Sequence, residues 1–160
     1  MSKKSGPIFT TMQAARIVGV TFSRLDSWDR RGGFFKPSIA EAEGRGSQRL
    51  YSLADLIQLS AIKRLRDQGA SLQSLRKAKR VMSKLDLNKP WQYVIVEAGD
   101  LYVETEKDHV LSLLLQPGQG ILQFQIVHLV EVTREVSLAI QLEEIEERFN
   151  RQYSREAASA

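Results

Sequence analysis

The sequence predicts a mainly α fold with small β elements: a winged helix-turn-helix DNA-binding domain followed by a small α+β domain. Three observations carry this. Two short amphipathic stretches meet at Gly19, a glycine-rich basic segment after them closes on Arg49-Leu50-Tyr51, and the apolar periodicity changes beyond Pro90. The implied division is a flexible N-terminus at 1–10, the first domain at 11–87, a linker at 88–92 and an acidic effector or dimerisation domain at 93–156.

Thr10 or Thr11 offers a side-chain acceptor to the free amides of a helix start. Met12, Ala15, Ile17 and Val18 supply the apolar face of that helix, and Gly19 ends it. A second helix starts at Thr21. Val20, Leu25 and Trp28 turn toward the first helix, which leaves Phe22, Ser23, Arg24 and Asp26 near the exposed N-terminal end. In a helix-turn-helix that end meets base edges. Arg24 is the candidate for a guanine or phosphate contact, since its planar fork bonds two acceptors at once. A lone arginine on a short helix is more often simply solvated, so position carries this assignment.

Arg30-Arg31-Gly32-Gly33 breaks the helix, residues 34–37 enter a short strand, and residues 49–51 form a second. Between them, residues 41–48 are too rich in glycine for regular structure and offer Arg45, Ser47 and Gln48 to phosphates, which makes this loop the expected wing. As a nucleotide cradle it lacks the Gly-Lys-Ser/Thr ending of a P-loop and the spacing of a dinucleotide fingerprint.

Ser52 and Asp55 have capping-box spacing for a helix running to about Gln68 and stopping at Gly69, with Leu53, Leu56, Ile57 and Leu65 as its buried stripe. Lys63, Arg64 and Arg66 crowd its later turns, and Lys63 or Arg64 extends the phosphate-facing surface. The next helix, capped by Ser71, sets Arg76, Lys77, Lys79 and Arg80 against a seam of Leu72, Leu75, Met82 and Leu85.

Past Pro90, residues 93–97 and 101–104 read as a hairpin, Thr105 starts a short helix reaching Leu115, and a turn at 117–120 leads into a strand at 121–130. Pro117-Gly-Gln-Gly is more often a helix-stopping turn than an anion loop. A last helix spans about 133–153. Its Leu138, Leu142, Ile145 and Phe149 recur at spacings of four, three and four, a stripe packed either on its own domain or against a second subunit.

Net charge sharpens the division. Residues 1–90 hold 18 Lys+Arg against 7 Asp+Glu, or +11, whereas residues 91–160 hold 5 against 12, or −7. The basic half suits a polyanion and the acidic half a separate task. There is no cysteine, which excludes disulfides and thiolate metal sites. His109 and His128 lack convergent ligands, so no metal and no cofactor is expected. No apolar run approaches a membrane span and the N-terminal residues lack a secretory core, so a cytoplasmic location is expected. No nucleophile with its base and no paired carboxylates stand out, so an enzyme is not expected.

These residues carry a resemblance. Thr11 to about Leu85 resembles the DNA-binding domain of MerR-type transcription regulators. It is most similar to a branch known from actinobacterial cell-division regulators, through Leu25-Asp26-Ser27-Trp28, Lys36-Pro37-Ser38, Gly46-Ser47-Gln48-Arg49-Leu50-Tyr51-Ser52, Lys63-Arg64-Leu65 and Gly69-Ala70-Ser71-Leu72-Gln73. The second half resembles the same branch less specifically. The resemblance implies a homodimer on double-stranded promoter DNA, with Phe22, Ser23 and Arg24 near bases and Trp28, Arg49 and Tyr51 near phosphates or supporting them. The expected DNA-binding set is therefore Thr11, Thr21, Phe22, Ser23, Arg24, Trp28, Arg45, Ser47, Gln48, Arg49, Tyr51 and Lys63. The sequence departs from the branch at Phe22 and Ser27, where tyrosine is usual, and carries one extra residue before Lys36-Pro37. With no cysteine for sensing, a small molecule, a protein or no effector at all remains. The alternative is an architectural, excisionase-like DNA-bending protein, against which the whole acidic second domain speaks.

Overall fold

A computed structural model of the chain describes residues 6–30, 35–40, 48–84, 93–97, 100–104 and 124–159. In chain order these form β1 (Ile8–Thr10), α1 (Thr11–Val18), α2 (Phe22–Arg30), β2 (Leu50–Ser52), α3 (Leu53–Asp67), α4 (Leu72–Met82), β3 (Tyr93–Glu97), β4 (Asp100–Glu104), β5 (Phe124–His128) and α5 (Leu129–Ala158). The result is mostly helical with two small sheets, one of order β1-β2 and one of order β4-β3-β5.

Local chemistry sets the first boundaries. Thr10, not Thr11, is the cap of α1: its Oγ1 accepts from Gln13 N at 3.3 Å while Gln13 Oε1 accepts from Thr10 N at 3.0 Å. Gly19 ends α1 in the left-handed region at φ 76°, letting the amides of Gly19 and Val20 both reach the Ala15 carbonyl. Ser52 and Asp55 form the expected capping box on α3, and Ser71 caps α4.

Residues 8–10, expected to be flexible, form β1 instead. Antiparallel pairing sets Phe9 opposite Tyr51 and buries both, so burial of one aromatic pair orders the strand. The expected strand at 34–37 also differs. Phe35 is buried in the core and its amide reaches back to the Trp28 carbonyl, and a bridge to β2 comes later, between Ala40 and Leu50. Leu72, expected in the seam of α4, is 43% exposed because it opens the helix before the buried face of Leu75, Ala78 and Met82 begins.

The core is built on α3, where Leu56, Leu59, Ile62 and Leu65 are fully enclosed and the helix packs against α1, α4 and α5. It does not stop at the expected domain boundary. Val94 of β3, Val127 of β5 and Leu129, Val132 and Val136 of α5 belong to the same cluster. The hairpin of β3 and β4 pairs Tyr93 with Glu104 through Glu97 with Asp100, and β5 lies on the other side of β3. The expected linker, the helix at 105–115 and the turn at 117–120 lie outside the described residues. The last helix starts at Leu129, four residues before the expected Thr133, and runs to Ala158.

α5 is held by apolar packing for less than half its length. After Val136, with Ala139 and Ile140 packed more loosely, the contacts become polar: Arg16 Nε lies 2.6 Å from Glu143 Oε1, and Gln13 Nε2 donates to Glu147 Oε1 at 3.1 Å. Arg64 pairs with Glu135 on the same side. The basic α1 and α3 thus receive the acidic α5, which is where the opposite charges of the two halves meet.

Candidate nucleic-acid interface

The capping of α2 decides what its first turn presents. Thr21 Oγ1 accepts from Arg24 N at 3.1 Å, holding the helix start with a side chain rather than with packing. Thr21, Phe22 and Ser23 are therefore left exposed, while Leu25 and Trp28 point into the core. Phe22 is 49% exposed, a large apolar side chain on the leading edge of a helix that is otherwise polar on its outer side. Arg24 lies two residues on, its guanidinium 5.5 Å from the centroid of the Trp28 ring. Ser27, where the resemblance led one to expect tyrosine, donates its hydroxyl to the Arg24 carbonyl at 2.8 Å.

The inner side of α2 is an ion-pair cluster. Arg49, just before β2, is only 5% exposed, with its Nη2 2.7 Å from Asp26 Oδ1 and its Nε 2.6 Å from Asp29 Oδ2. Asp26 also meets Arg30 at 3.1 Å. One arginine thus ties two positions of α2 to the strand that follows the loop. Burial by itself lowers the Arg49 pKa, but the Asp26 hydrogen bond and the charges of Asp29 and Asp26 outweigh it and push it up, so the guanidinium stays charged. Tyr51, fully enclosed beside it, is pushed above the ordinary tyrosine value mainly by burial, with the Arg49 charge opposing.

The expected contact residues therefore divide. Thr21, Phe22 and Ser23 form an exposed edge with Arg24 half-buried beside them, and Gln48 is exposed at the foot of the loop that Ala40 and Leu50 close. Thr11 is half-buried at the start of α1. Trp28, Arg49 and Tyr51 are buried, at 7%, 5% and 0% exposure, behind that edge rather than on it. Lys63 pairs with Asp67 at 3.1 Å on α3 and stands beside Gly19 and α5, apart from the α2 edge. Arg45 and Ser47 lie outside the described residues. Sequence reading missed Asp26 and Asp29 as the clamp. Their signal was there, since acids three apart on a helix of a strongly basic half call for a cation, and Arg49 is the one that arrives.

Comparison with known proteins bears on this arrangement. The family described as "MerR HTH family regulatory protein" matches residues 9–82, from within β1 to the end of α4. Those residues are a MerR-family helix-turn-helix regulator domain. Three similar proteins, each called an uncharacterized HTH-type transcriptional regulator, come from Mycobacterium bovis and two Mycobacterium tuberculosis strains. Each is 36% identical over 108 residues, covering 68% of this chain and 48% of the relative. The chain spans about half the length of the curated relatives it matches. The MerR match begins at Phe9, the residue that β1 buries, so the strand belongs to the matched domain.

Proposed function

We propose that the protein is a sequence-specific transcription regulator of the MerR type, not an enzyme, that places α2 in the major groove of promoter DNA. The observation that carries this reading is the two-sidedness of α2. Its inner side is locked to β2 through Arg49, and its leading edge, Thr21 to Arg24, is left to meet base edges. The loop between Ala40 and Leu50 serves as the wing, with Arg45, Ser47 and Gln48 on phosphates. Binding to upstream DNA of its own gene neighbourhood should fall in the range of roughly 10⁻⁸ to 10⁻¹¹ M and weaken steeply with salt, because lysine and arginine release condensed counterions. A mobility-shift series that finds no preference for that DNA over random duplex overturns the reading.

The same reading makes the protein a homodimer. Leu138, Leu142, Ile145, Phe149 and Tyr153 are 54% to 69% exposed and lie on the side of α5 opposite the face packed on α1 and α3. This stripe is nearly symmetric about Ile145. Two antiparallel copies would set Leu138 against Tyr153 and Leu142 against Phe149, burying the row against itself as a two-fold contact requires. Phe149→Glu combined with Leu142→Glu should reduce the mass seen by light scattering to that of one chain. It should also weaken binding to a two-fold site by about 100-fold or more through loss of the second contact. A wild-type protein that is already a single chain at micromolar concentration excludes this dimer.

A further inference from the structure

A cavity of about 450 Å³ lies between the foot of the loop, the start of α3 and the end of α4. Its lining includes Lys36, Ser38, Asp55, Gln58, Lys79 and Ser83, and none of these belongs to the exposed edge of α2. Gln58 is the unusual member. It is only 9% exposed, and among the described residues its side-chain amide makes no hydrogen bond. Its amide is not sealed in the interior but opens onto the cavity. Asp55 beside it is fully engaged at one oxygen, since Oδ2 accepts from Ser38 N at 2.9 Å, Ser38 Oγ at 2.8 Å and Ser52 N at 2.8 Å. Lys79 supplies a positive charge, its ammonium 5.7 Å from the Phe35 ring centroid, and Lys36 stands on the same lining.

From this we infer a regulatory site for a small oxyanion-bearing molecule, a carboxylate or a phosphate monoester, with a second polar group that satisfies Gln58. The volume suits a metabolite-sized ligand, and few but convergent polar groups are the mark of such pockets. Lys36 and Lys79 hold the anion, and Gln58 and the serine hydroxyls orient the rest. The site has leverage on DNA binding because Ser38, which Asp55 ties to Ser52, lies two residues before Ala40, whose bridge to Leu50 closes the loop. A ligand that fixes Lys36 and Ser38 fixes the foot of that loop. Ligand and DNA then raise each other's affinity by the same factor. This regulatory step rests on the proposed DNA reading, whereas the pocket itself does not.

The test separates the two. The full chain is titrated without DNA against L-glutamate, citrate and glycerol 3-phosphate by ligand-observed NMR and thermal shift. At least one probe should saturate with a dissociation constant below about 1 mM, as a few charge-assisted hydrogen bonds allow. The carboxylate and phosphate arms show which anion is preferred. Lys79→Gln, at the surface, should weaken that probe about tenfold, and Gln58→Leu should weaken it while leaving the melting temperature of the free protein the same or higher. Saturating probe should then tighten DNA binding about threefold or more in the wild type and not in Gln58→Leu. The site is refuted if no probe saturates, if the variants bind equally well and the anion is adventitious, or if duplex DNA displaces the probe and the pocket is a phosphate seat. An unchanged DNA affinity at saturating probe refutes the regulation. A protein that binds the probe but no DNA refutes the DNA reading and leaves the pocket standing.

Discussion

The inner side of α2 and its leading edge use the same residue types for opposite ends. Inside, Arg49 is enclosed by Asp26 and Asp29, and its charge is spent on holding a helix to a strand. At the edge, Arg24 rests over Trp28 with its donors directed to no carboxylate among the described ion pairs, beside the exposed Thr21, Phe22 and Ser23. An arginine's role here is set by whether acids meet it, not by its closeness to the helix-turn-helix in sequence. Changes on the inner side should therefore act on stability and on all DNA alike, and changes on the edge should act on DNA sequence preference alone.

The largest effect that tests this division is at Arg49. Removing Arg49 takes the facing guanidinium from Asp29 but leaves Asp26 its pair with Arg30, and because Asp26 and Asp29 keep 28% and 16% of their side-chain exposure the penalty sits at the low end. Arg49→Ala should destabilise the fold by about 3 kcal/mol. That corresponds to a fall of roughly 6–12 °C in melting temperature for a chain of this size. Arg49→Lys should recover less than half, since one ammonium cannot span both aspartates as the guanidinium does. The division breaks if Arg49→Ala melts like the wild type yet fails to bind DNA, for Arg49 would then be a contact residue after all.

This outcome also shows how far the sequence reaches. Helix starts were legible wherever a side-chain cap is written locally, as at Ser52 with Asp55 and at Ser71. The edge of α2 was legible because Leu25 and Trp28 fix which side turns inward. What was not legible depends on partners distant in the chain. Ile8-Phe9-Thr10 is too short to announce a strand, and only Tyr51 across from Phe9 makes it one. Arg49 looked like a phosphate ligand because its two aspartates lie more than twenty residues earlier. The charge division after Pro90 was real, but it suggested two separate bodies, whereas Val94, Val127 and the start of α5 complete the core that α3 begins.

At the edge, Arg24→Ala should do the reverse of Arg49→Ala. Its contact with Trp28 is at the surface and worth at most about 1 kcal/mol to the fold. Its loss should weaken the preferred DNA about tenfold while random duplex changes much less, as expected for a side chain that reaches a base edge. Equal weakening of both DNAs would reassign Arg24 to the phosphates. A drop in stability matching that of Arg49→Ala would erase the difference between the two sides of α2.

The smallest expected effect is the most specific, and it concerns Phe22. A phenyl ring offers no hydrogen bond, and Phe22 stands half-exposed on the first turn of α2. In the major groove the apolar feature it can meet is the 5-methyl group of thymine. Phe22→Ala should weaken the preferred site about fivefold. Replacing one thymine of each half-site by uracil, which deletes only the methyl group, should weaken the wild type by a similar factor. The same replacement should leave Phe22→Ala unaffected, since the two changes remove one contact from its two sides. If uracil is tolerated at every thymine while Phe22→Ala still binds poorly, the ring is acting on the backbone or on the helix start. The leading edge of α2 would then read sequence through Ser23 and Arg24 alone.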